Sequence, residues 1–371
     1  MPLYLTDDQV MLRDSAREFM AAEGSIAKQY RKYRDMNCKD GFGHGLWKQF
    51  AEIGFTGILV DEADGGVGLG HVEAGIVLEE VGRNLTPSPF LITAVAVVEA
   101  LRDTRHRERW YPGILAGDTV AALAIDEGSK HRPESIAMIA ERSGNGFRLS
   151  GRKQFVVQGA SADFFVVAAA TPDGLTLFAV EKGVKGLEVE GVRLADASIG
   201  ARLEFDRVEL DADAVIGEVG QGGPLLHRVL NAGRVGAASE LVGVGSAATG
   251  MTVDYLKQRK QFGRLIGEFQ VLQHRAAHLY SELEIARAAT LKAQQLLDED
   301  ADEADMMVSV AKAKAGSASA LAVREGVQMH GGIGMTDEYD IGLYMKRDRV
   351  LSELFGDAAY HADRVARLND Y

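Results

Sequence analysis

The sequence is poor in cysteine and in basic residues, and both shortages restrict its function. Cys38 is the single cysteine in 371 residues, which excludes an internal disulfide and any thiolate cluster for zinc or an iron–sulfur centre. The chain has only 41 lysines and arginines but 54 aspartates and glutamates, which gives a net charge of −13. This acidic balance disfavours non-specific binding to nucleic acid or to an anionic membrane.

Long apolar runs are also missing. The longest, Phe90 to Leu101, has twelve residues, whereas a helix needs about 20 to cross a bilayer. The amino terminus has neither the basic stretch nor the apolar core of a signal peptide, so we expect a cytoplasmic protein. With 46% hydrophobic and 26% charged residues, the chain has the composition of a compact protein of two or three domains.

Periodicity divides the chain into three sections of an α+β protein. Residues 1–118 predict a helical domain, which opens with a capping box at Thr6 and Gln9. Residues 119–222 contain short runs rich in β-branched and aromatic residues, such as Phe164–Val167 and Leu203–Leu210, at the spacing of hairpins. This middle section predicts a β-barrel or β-sandwich domain and disfavours a parallel nucleotide-binding sheet.

Residues 223–371 return to long helical periods and predict a carboxyl-terminal four-helix bundle. The four predicted helices are Leu225–Arg259, Phe269–Leu297, Ala304–His330 and Leu354–Leu368. The first carries several glycines, and each costs about 1 kcal/mol of helix propensity relative to alanine. We therefore expect another helix or a ligand to approach this helix closely.

Polar and glycine-rich motifs mark the helix ends of the third section. Arg259 to Gly263 closes one helix, Gln270 lies at the start of the next, and Gln328 to Gly334 closes a third. A guanidinium can bind two phosphate oxygens, and bare glycine backbone lets anionic oxygens approach N–H groups. The motifs therefore suit a pyrophosphate-linked adenosine, while the alternative is a helix cap at Gly331 with surface polar residues elsewhere. We expect no metal site in this chain.

Longer motifs resemble the acyl-CoA dehydrogenases across essentially the whole chain. They are Asp64–Gly68, Leu78–Arg83, Leu149–Lys153 and, most specifically, Asp254–Gly263 and Gln328–Met335. The likeness is strongest to subunits of the pimeloyl-CoA dehydrogenase small-subunit type. It implies FAD as cofactor, α,β-desaturation of an acyl-CoA thioester, an electron-transfer flavoprotein or similar acceptor, and assembly into a dimer or tetramer.

The resemblance also assigns residues to the two ends of FAD. The residues that would hold the adenosine-diphosphate end across a dimer interface are Arg259, Phe262, Gln270, Gln328, Gly331 and Gly332, with Gln261 as a further candidate. Asp126 and Phe155 correspond to positions beside the flavin ring. Phe155 can still stack, but Asp126 would place negative charge near a ring that becomes anionic on reduction, and Val157 cannot donate a hydrogen bond.

The family's catalytic base is a glutamate at one of two positions, which here hold Phe355 and Gly233. Glu240, about 10 Å further along the same helix face than Gly233, and Asp357 are candidate replacements. The alternatives are a paired carboxylate between helices for Glu240 and a helix N-cap for Asp357. Arg234 matches a family arginine near the substrate and is a candidate substrate-binding residue, the alternative being a salt bridge on the helix surface.

The nucleotide-side residues thus match the family and the catalytic pocket does not. This asymmetry predicts a subunit that shares FAD with a related partner carrying the base, in a heteromeric assembly. Two alternatives stay open: a self-sufficient flavoenzyme with desulfinase-like elimination chemistry, and a non-catalytic subunit that binds acyl-CoA or a partner enzyme. Small residues at Gly233, Gly236 and Ala237 allow a long or ring-bearing acyl group without requiring one.

Overall fold

The computed structural model describes residues 3–371, and its amino-terminal section is helical as predicted. The α-helices there are α1 (Asp7–Ala22), α2 (Lys32–Asp35), α3 (His44–Glu52), α4 (His71–Arg83), α5 (Val98–Leu101) and α6 (His106–Leu115). The capping box is present, since the Thr6 hydroxyl accepts from the Gln9 amide and the Gln9 side chain accepts from the Thr6 amide. The apolar run from Phe90 to Val97 forms a π-helical turn that leads into α5.

The middle section forms one mixed sheet. Its strands are β1 (Ala121–Ala124), β2 (Ile139–Ser143), β3 (Gly146–Val157), β4 (Phe164–Thr171), β5 (Gly174–Glu181), β6 (Leu187–Arg193), β7 (Ile199–Leu210) and β8 (Val215–Ile216). The spatial order is β6-β7-β3-β2-β4-β5-β8, with β1 beside β4. Most pairs are antiparallel, as hairpin spacing predicts, but β1 and β2 each run parallel to β4. Strand β6 was not predicted from the sequence, because its residues are half-buried or exposed and form no apolar run.

The carboxyl-terminal section is a bundle of long helices. Residues 222–371 contain α7 (Gly222–Gln258), the short hairpin β9 (Lys260–Gln261) and β10 (Arg264–Leu265), α8 (Gln270–Asp298), α9 (Ala304–His330), α10 (Ile341–Glu353) and α11 (Ala358–Leu368). The long helices match their predicted ranges closely. Helix α10 was not predicted from the sequence, because charged residues interrupt its apolar positions. In the structure, Ile341, Leu343 and Tyr344 of this helix are buried.

The chain packs as two compact units that do not follow sequence order. Unit 1 contains residues 3–30, 71–86 and 234–371, and unit 2 contains residues 31–70 and 87–233. The three domains expected from the sequence, with boundaries after residues 118 and 222, therefore stay a prediction. No helix within residues 3–371 is both long and apolar enough to cross a membrane.

Within unit 1, α4 packs against α1 and α8. The Asp298 carboxylate at the end of α8 accepts from the amides of His71 and Val72, at 2.7 and 3.2 Å, and so caps α4. Small residues allow close helix contacts, since a Cβ on Gly243 would lie 2.0 Å from the Glu79 carbonyl oxygen. The expected close approach to the glycine-rich helix is therefore made by α4.

Candidate functional site

The predicted nucleotide-binding residues lie on neighbouring ends of α7, α8 and α9 in unit 1. Tyr255 near the end of α7 stacks on His330 at the end of α9, with ring centroids 4.4 Å apart. Helix α7 ends beside the β9–β10 hairpin, where the Arg259 carbonyl accepts from the Ile266 amide at 2.9 Å. This hairpin carries the Phe262 ring, 6.2 Å from that of Phe269, which immediately precedes α8. The fold thus gathers motifs that are about 70 residues apart in sequence.

These residues suit a nucleotide tail in exposure and in donor chemistry. The exposed set is Arg259, Gln261, Phe262, Gln270, Gln328, Gly331 and Gly332. Phe262 is 89% exposed, and a Cβ built on Gly331 or Gly332 would meet no atom within 4 Å. A guanidinium, side-chain amides and open glycine backbone fit the adenosine-diphosphate end of FAD. The Gln261 amide already donates to the Lys260 carbonyl, at 2.8 Å, and is the least available of the set.

The predicted ring-side residues lie together in unit 2. Asp126 follows β1, and its backbone oxygen accepts from the Gln154 amide at 2.7 Å, which places Asp126 beside Phe155 in β3. Phe155 is half-buried and has a φ of +52°, where β3 changes register against β7 between Lys153 and Val156. A bulge of this kind re-aims side chains within a strand.

The carboxylate of Asp126 is hydrogen-bonded, which the sequence alone did not indicate. His131 Nδ1 lies 2.8 Å from the Asp126 carboxylate, and the side chains of His131 and Asp126 are 3% and 14% exposed. A ring N–H at this nitrogen donates to the carboxylate. The position of the Asp126 side chain is therefore fixed by a neighbour five residues further along the chain.

Glu127 is occupied by structural contacts. Its carboxylate accepts from Lys153 Nζ at 2.7 Å and from the amides of Ala137 and Met138, at 2.7 and 2.9 Å. Burial alone would raise the pKa of Glu127, but these hydrogen bonds hold it below its usual value. Lys153 is fully buried, and burial lowers its pKa. Both groups therefore serve to fix the loop between β1 and β2.

Neither family base position carries a proton acceptor. Phe355, 4% exposed, lies in the turn between α10 and α11, and Gly233 lies within α7. The turn has left-handed backbone, with φ of +61° at Phe355 and +103° at Gly356. A bulky side chain in this region is strained, so the surrounding contacts must hold the turn in place.

Glu240 and Asp357, the two candidate replacements for the catalytic base, make the contacts expected of a paired carboxylate and of a helix N-cap. Glu240 is 1% exposed, and one carboxylate oxygen accepts from Arg347 Nε at 2.8 Å and lies 2.6 Å from its Nη2. This is a buried ion pair between α7 and α10. Asp357 is the N-cap of α11, where its side chain accepts from the Tyr360 amide at 2.8 Å. Their catalytic roles therefore find no support in these contacts.

Arg234 is buried rather than on the helix surface. It is 2% exposed, its Nη2 donates to the Tyr360 hydroxyl at 3.3 Å, and its guanidinium carbon lies 5.8 Å from the Tyr360 ring centroid. Burial lowers the pKa of Arg234 to about 10. The alternative of a surface salt bridge is therefore wrong, and substrate binding by Arg234 stays a prediction.

Sequence reasoning missed Lys312, which holds the turn at the family base position. This lysine is 1% exposed, and its Nζ donates to the carbonyls of Ser352 and Gly356, at 3.2 and 3.0 Å. Burial lowers its pKa to about 7. One signal was available, since Lys312 falls on the same face of α9 as the buried residues Val308 and Ala315.

Comparisons with known protein families agree with the motifs. The family description "Acyl-CoA dehydrogenase, N-terminal domain" matches residues 6–118, and "Acyl-CoA dehydrogenase, C-terminal domain" matches residues 220–368. Mitochondrial isovaleryl-CoA dehydrogenase of Solanum tuberosum is 30% identical over 95% of this chain and 88% of that protein. The mitochondrial short/branched chain specific acyl-CoA dehydrogenase of Bos taurus is 27% identical over 98% of this chain and 85% of that protein.

Solved structures show the same architecture. The Tcur3481-Tcur3483 steroid ACAD, solved as a variant, is similar with a TM-score of 0.90 and 29% identity, over 98% of each chain. Butyryl-CoA dehydrogenase from Megasphaera elsdenii has a TM-score of 0.90 at 23% identity, over 100% of each chain, a likeness of fold alone. The predicted succession of a helical section, a central sheet and a helical bundle is confirmed.

Proposed function

Since the chain belongs to the acyl-CoA dehydrogenase family, we propose that it is one subunit of a paired, FAD-dependent dehydrogenase whose base lies in a related partner subunit. The observation that carries this proposal is the absence of a proton acceptor at both family base positions, Phe355 and Gly233. α,β-Desaturation needs a group that removes the α-proton. When bound, FAD accepts the hydride from the β-carbon.

The exposed nucleotide-side residues support sharing of the cofactor. Arg259, Gln270 and Gln328 lie at the surface of unit 1 and are free of the buried contacts that occupy Glu240 and Arg234. A guanidinium in this position can bind two phosphate oxygens of a nucleotide held mainly by another subunit. The chain would thus contribute to an FAD whose flavin ring lies in the partner.

The ring side supports the same division of roles. Val157 is buried and apolar where the family has a hydrogen-bond donor, and Glu127 is committed to Lys153 and the loop amides. A site that stabilises a reduced flavin needs donors aimed at the ring. The partner would supply these donors together with the base.

We propose an acyl-CoA thioester with a long or ring-bearing acyl group as the substrate of the pair. The small side chains at Gly233, Gly236 and Ala237 would allow such a group, and the similar Tcur3481-Tcur3483 protein is a steroid ACAD. An electron-transfer flavoprotein or similar acceptor would reoxidise the flavin, and the pair would work in the cytoplasm as a dimer or tetramer.

The test compares the chain alone with the chain co-purified with its related partner. We expect dehydrogenation of saturated acyl-CoA, followed by flavin bleaching, only in the pair. Arg259→Ala should lower the flavin content of the pair at least about tenfold, because a charge-assisted phosphate contact is lost. Lys257→Ala is the matched control, since Lys257 is also exposed near the end of α7 but is not among the residues assigned to FAD.

Full activity of the isolated chain with one flavin per chain would overturn the proposal. Bound flavin that saturated acyl-CoA does not bleach, again in the isolated chain, would favour elimination chemistry. A colourless chain that neither pairs nor restores activity to a partner would favour a non-catalytic binding subunit.

A further inference from the structure

A cavity of about 390 Å³ lies within unit 1, between α1, α4, α7 and α8. Its volume lies within the range of about 300–1,000 Å³ that is typical of small-molecule sites. None of the residues assigned above to FAD, to the base or to the substrate lines it. Leu3 and Tyr4 line the cavity and are 54% and 70% exposed, so it reaches the protein surface beside the start of α1.

Part of the lining of this cavity is apolar. Ile76 of α4 and Leu291 of α8 are 8% and 9% exposed and belong to one buried cluster with Val72. Val242 of α7 and Ala288 of α8 line the same cavity. Contact with these side chains removes apolar surface from water, so the cavity favours a ligand with an apolar group.

The charged part of the lining is balanced. Three guanidinium groups are matched by three carboxylates, those of Arg17, Arg83 and Arg287 by those of Glu79, Glu80 and Glu284. A fourth arginine of the lining, Arg13, is paired with Asp14 at 2.8 Å. A ligand with a net charge would leave one charge in this site without compensation. The balance therefore favours a ligand whose own charges cancel.

Glu80 offers an acceptor for a ligand. Its side chain is 1% exposed, and its Oε1 accepts from Nε and Nη2 of Arg17, at 3.1 and 2.9 Å. Its Oε2 lies 3.3 Å from Arg83 Nε but makes no hydrogen bond within residues 3–371. A buried carboxylate oxygen without a hydrogen bond is costly, and a ligand that donates to it removes this cost.

Arg17 and Arg83 offer donors to the same ligand. Within the described chain, Arg17 donates through Nε and Nη2 to Glu80. Arg83 donates through Nε to Glu80, at 3.4 Å, and through Nη2 to Glu79, at 3.1 Å. Since a guanidinium has five N–H donors, Nη1 of each arginine can donate to a ligand. The carboxylates meanwhile hold both guanidinium groups in place.

We propose that this cavity binds a zwitterionic amino acid with an apolar side chain. The ligand carboxylate accepts from Arg17 and Arg83, its ammonium donates to Glu80, and its side chain packs against Ile76 and Leu291. Such a ligand has no net charge, and it supplies both the donor and the acceptor that the lining requires. The inference does not depend on the paired-subunit proposal, because all of these residues belong to unit 1 of this chain.

The test is calorimetric titration of the full chain, in the assembly in which it purifies, with leucine, 4-methylpentanoate and isopentylamine. The second compound is leucine without its ammonium, and the third is leucine without its carboxylate. We expect leucine to bind at least about tenfold more tightly than either analogue, because each analogue lacks one charge-assisted hydrogen bond.

Two variants assign the two ends of the ligand. Glu80→Gln should weaken leucine binding at least about tenfold and leave 4-methylpentanoate binding unchanged, since only the ammonium contacts Glu80. Arg17→Gln should weaken the binding of leucine and of 4-methylpentanoate and leave isopentylamine binding unchanged. Glu73→Gln is the matched control, because Glu73 of α4 lies outside the lining and accepts from Gln9 at 2.7 Å. A merely structural role for Glu80 or Arg17 would weaken all three compounds together.

A third variant tests the cavity itself. Ala288→Leu should abolish leucine binding, because the larger side chain occupies the cavity, and Ala289→Leu should retain it, since Ala289 does not line the cavity. Saturating leucine should raise the midpoint of thermal unfolding of wild type and Ala289→Leu but not of Ala288→Leu.

Absence of saturable leucine binding would overturn the inference. Equal affinity for leucine and either analogue would do the same, as would unchanged leucine binding in Ala288→Leu. These results leave the pairing proposal untouched, because that proposal is tested by flavin content and by activity with the partner.

Discussion

Lys312 provides the sharpest test of the buried charges in unit 1. Burial lowers its pKa from 10.5 to about 7. Between these two values the unfolded chain holds a proton that the folded chain has released, so the free energy of unfolding rises with pH. The expected slope is about 1.4 kcal/mol per pH unit, or about 5 kcal/mol over the whole interval. Below pH 7 both states are protonated and the folded state carries the full cost of a buried ammonium.

The assay is denaturant unfolding of wild type and Lys312→Met at pH 7, 8 and 9. The difference between the two proteins should shift in favour of wild type by about 1.4 kcal/mol for each unit. The difference reports Lys312 together with its buried acidic neighbour Asp348, because the other groups that titrate in this range are common to both proteins. Lys314→Met, a part-buried neighbour paired with Glu282, controls for the loss of a lysine from α9. A difference that stays constant from pH 7 to pH 9 would refute the reasoning.

Three substitutions test other contacts in unit 1. Glu240→Gln should cost about 3 kcal/mol of unfolding free energy, because it leaves Arg347 in a mostly buried site without its carboxylate. Asp298→Ala should cost about 1–2 kcal/mol and increase amide hydrogen exchange in the first turn of α4, which loses its cap. Gly356→Ala should cost at least about 2 kcal/mol, since its Cβ would lie 2.4 Å from the Tyr360 ring in left-handed backbone.

Contrary results would change specific assignments. Wild-type stability in Glu240→Gln would mean that the carboxyl group is already neutral, and Glu240 would again be a candidate proton acceptor. Unchanged hydrogen exchange in Asp298→Ala would mean that α4 is held by packing alone. Wild-type stability in Gly356→Ala would mean that the turn relaxes easily and that Lys312 does not fix its backbone.

The family, the fold class and FAD as the cofactor could be predicted because long motifs and periodic helices are local in sequence. Helices α7 to α9 bury continuous apolar faces, and their ranges were predicted to within a few residues. The range of helix α10 could not be predicted, because charged residues lie between its buried residues in the sequence. These charges pair with other helices, as Arg347 does with Glu240.

The candidate site was harder to predict, because its electrostatics depend on partners distant in sequence or hidden in loops. Asp126 reads as an isolated charge until the fold brings His131 against it. Lys312 lies 40 and 44 residues before the two carbonyls that it binds. Glu240 and Asp357 each had two interpretations, and only the contacts of Arg347 and of the Tyr360 amide distinguish between them.

The discontinuous composition of unit 1 has a consequence for synthesis on the ribosome. Unit 2 ends at residue 233, so all of its segments are available for folding while the last third of the chain is still being made. Helices α1 and α4 emerge early, but the carboxylate that caps α4 belongs to residue 298. The partners of α4 in α7 and α8 are made 160 or more residues after α4 ends at Arg83, and nascent chains of intermediate length expose surfaces that chaperones recognise.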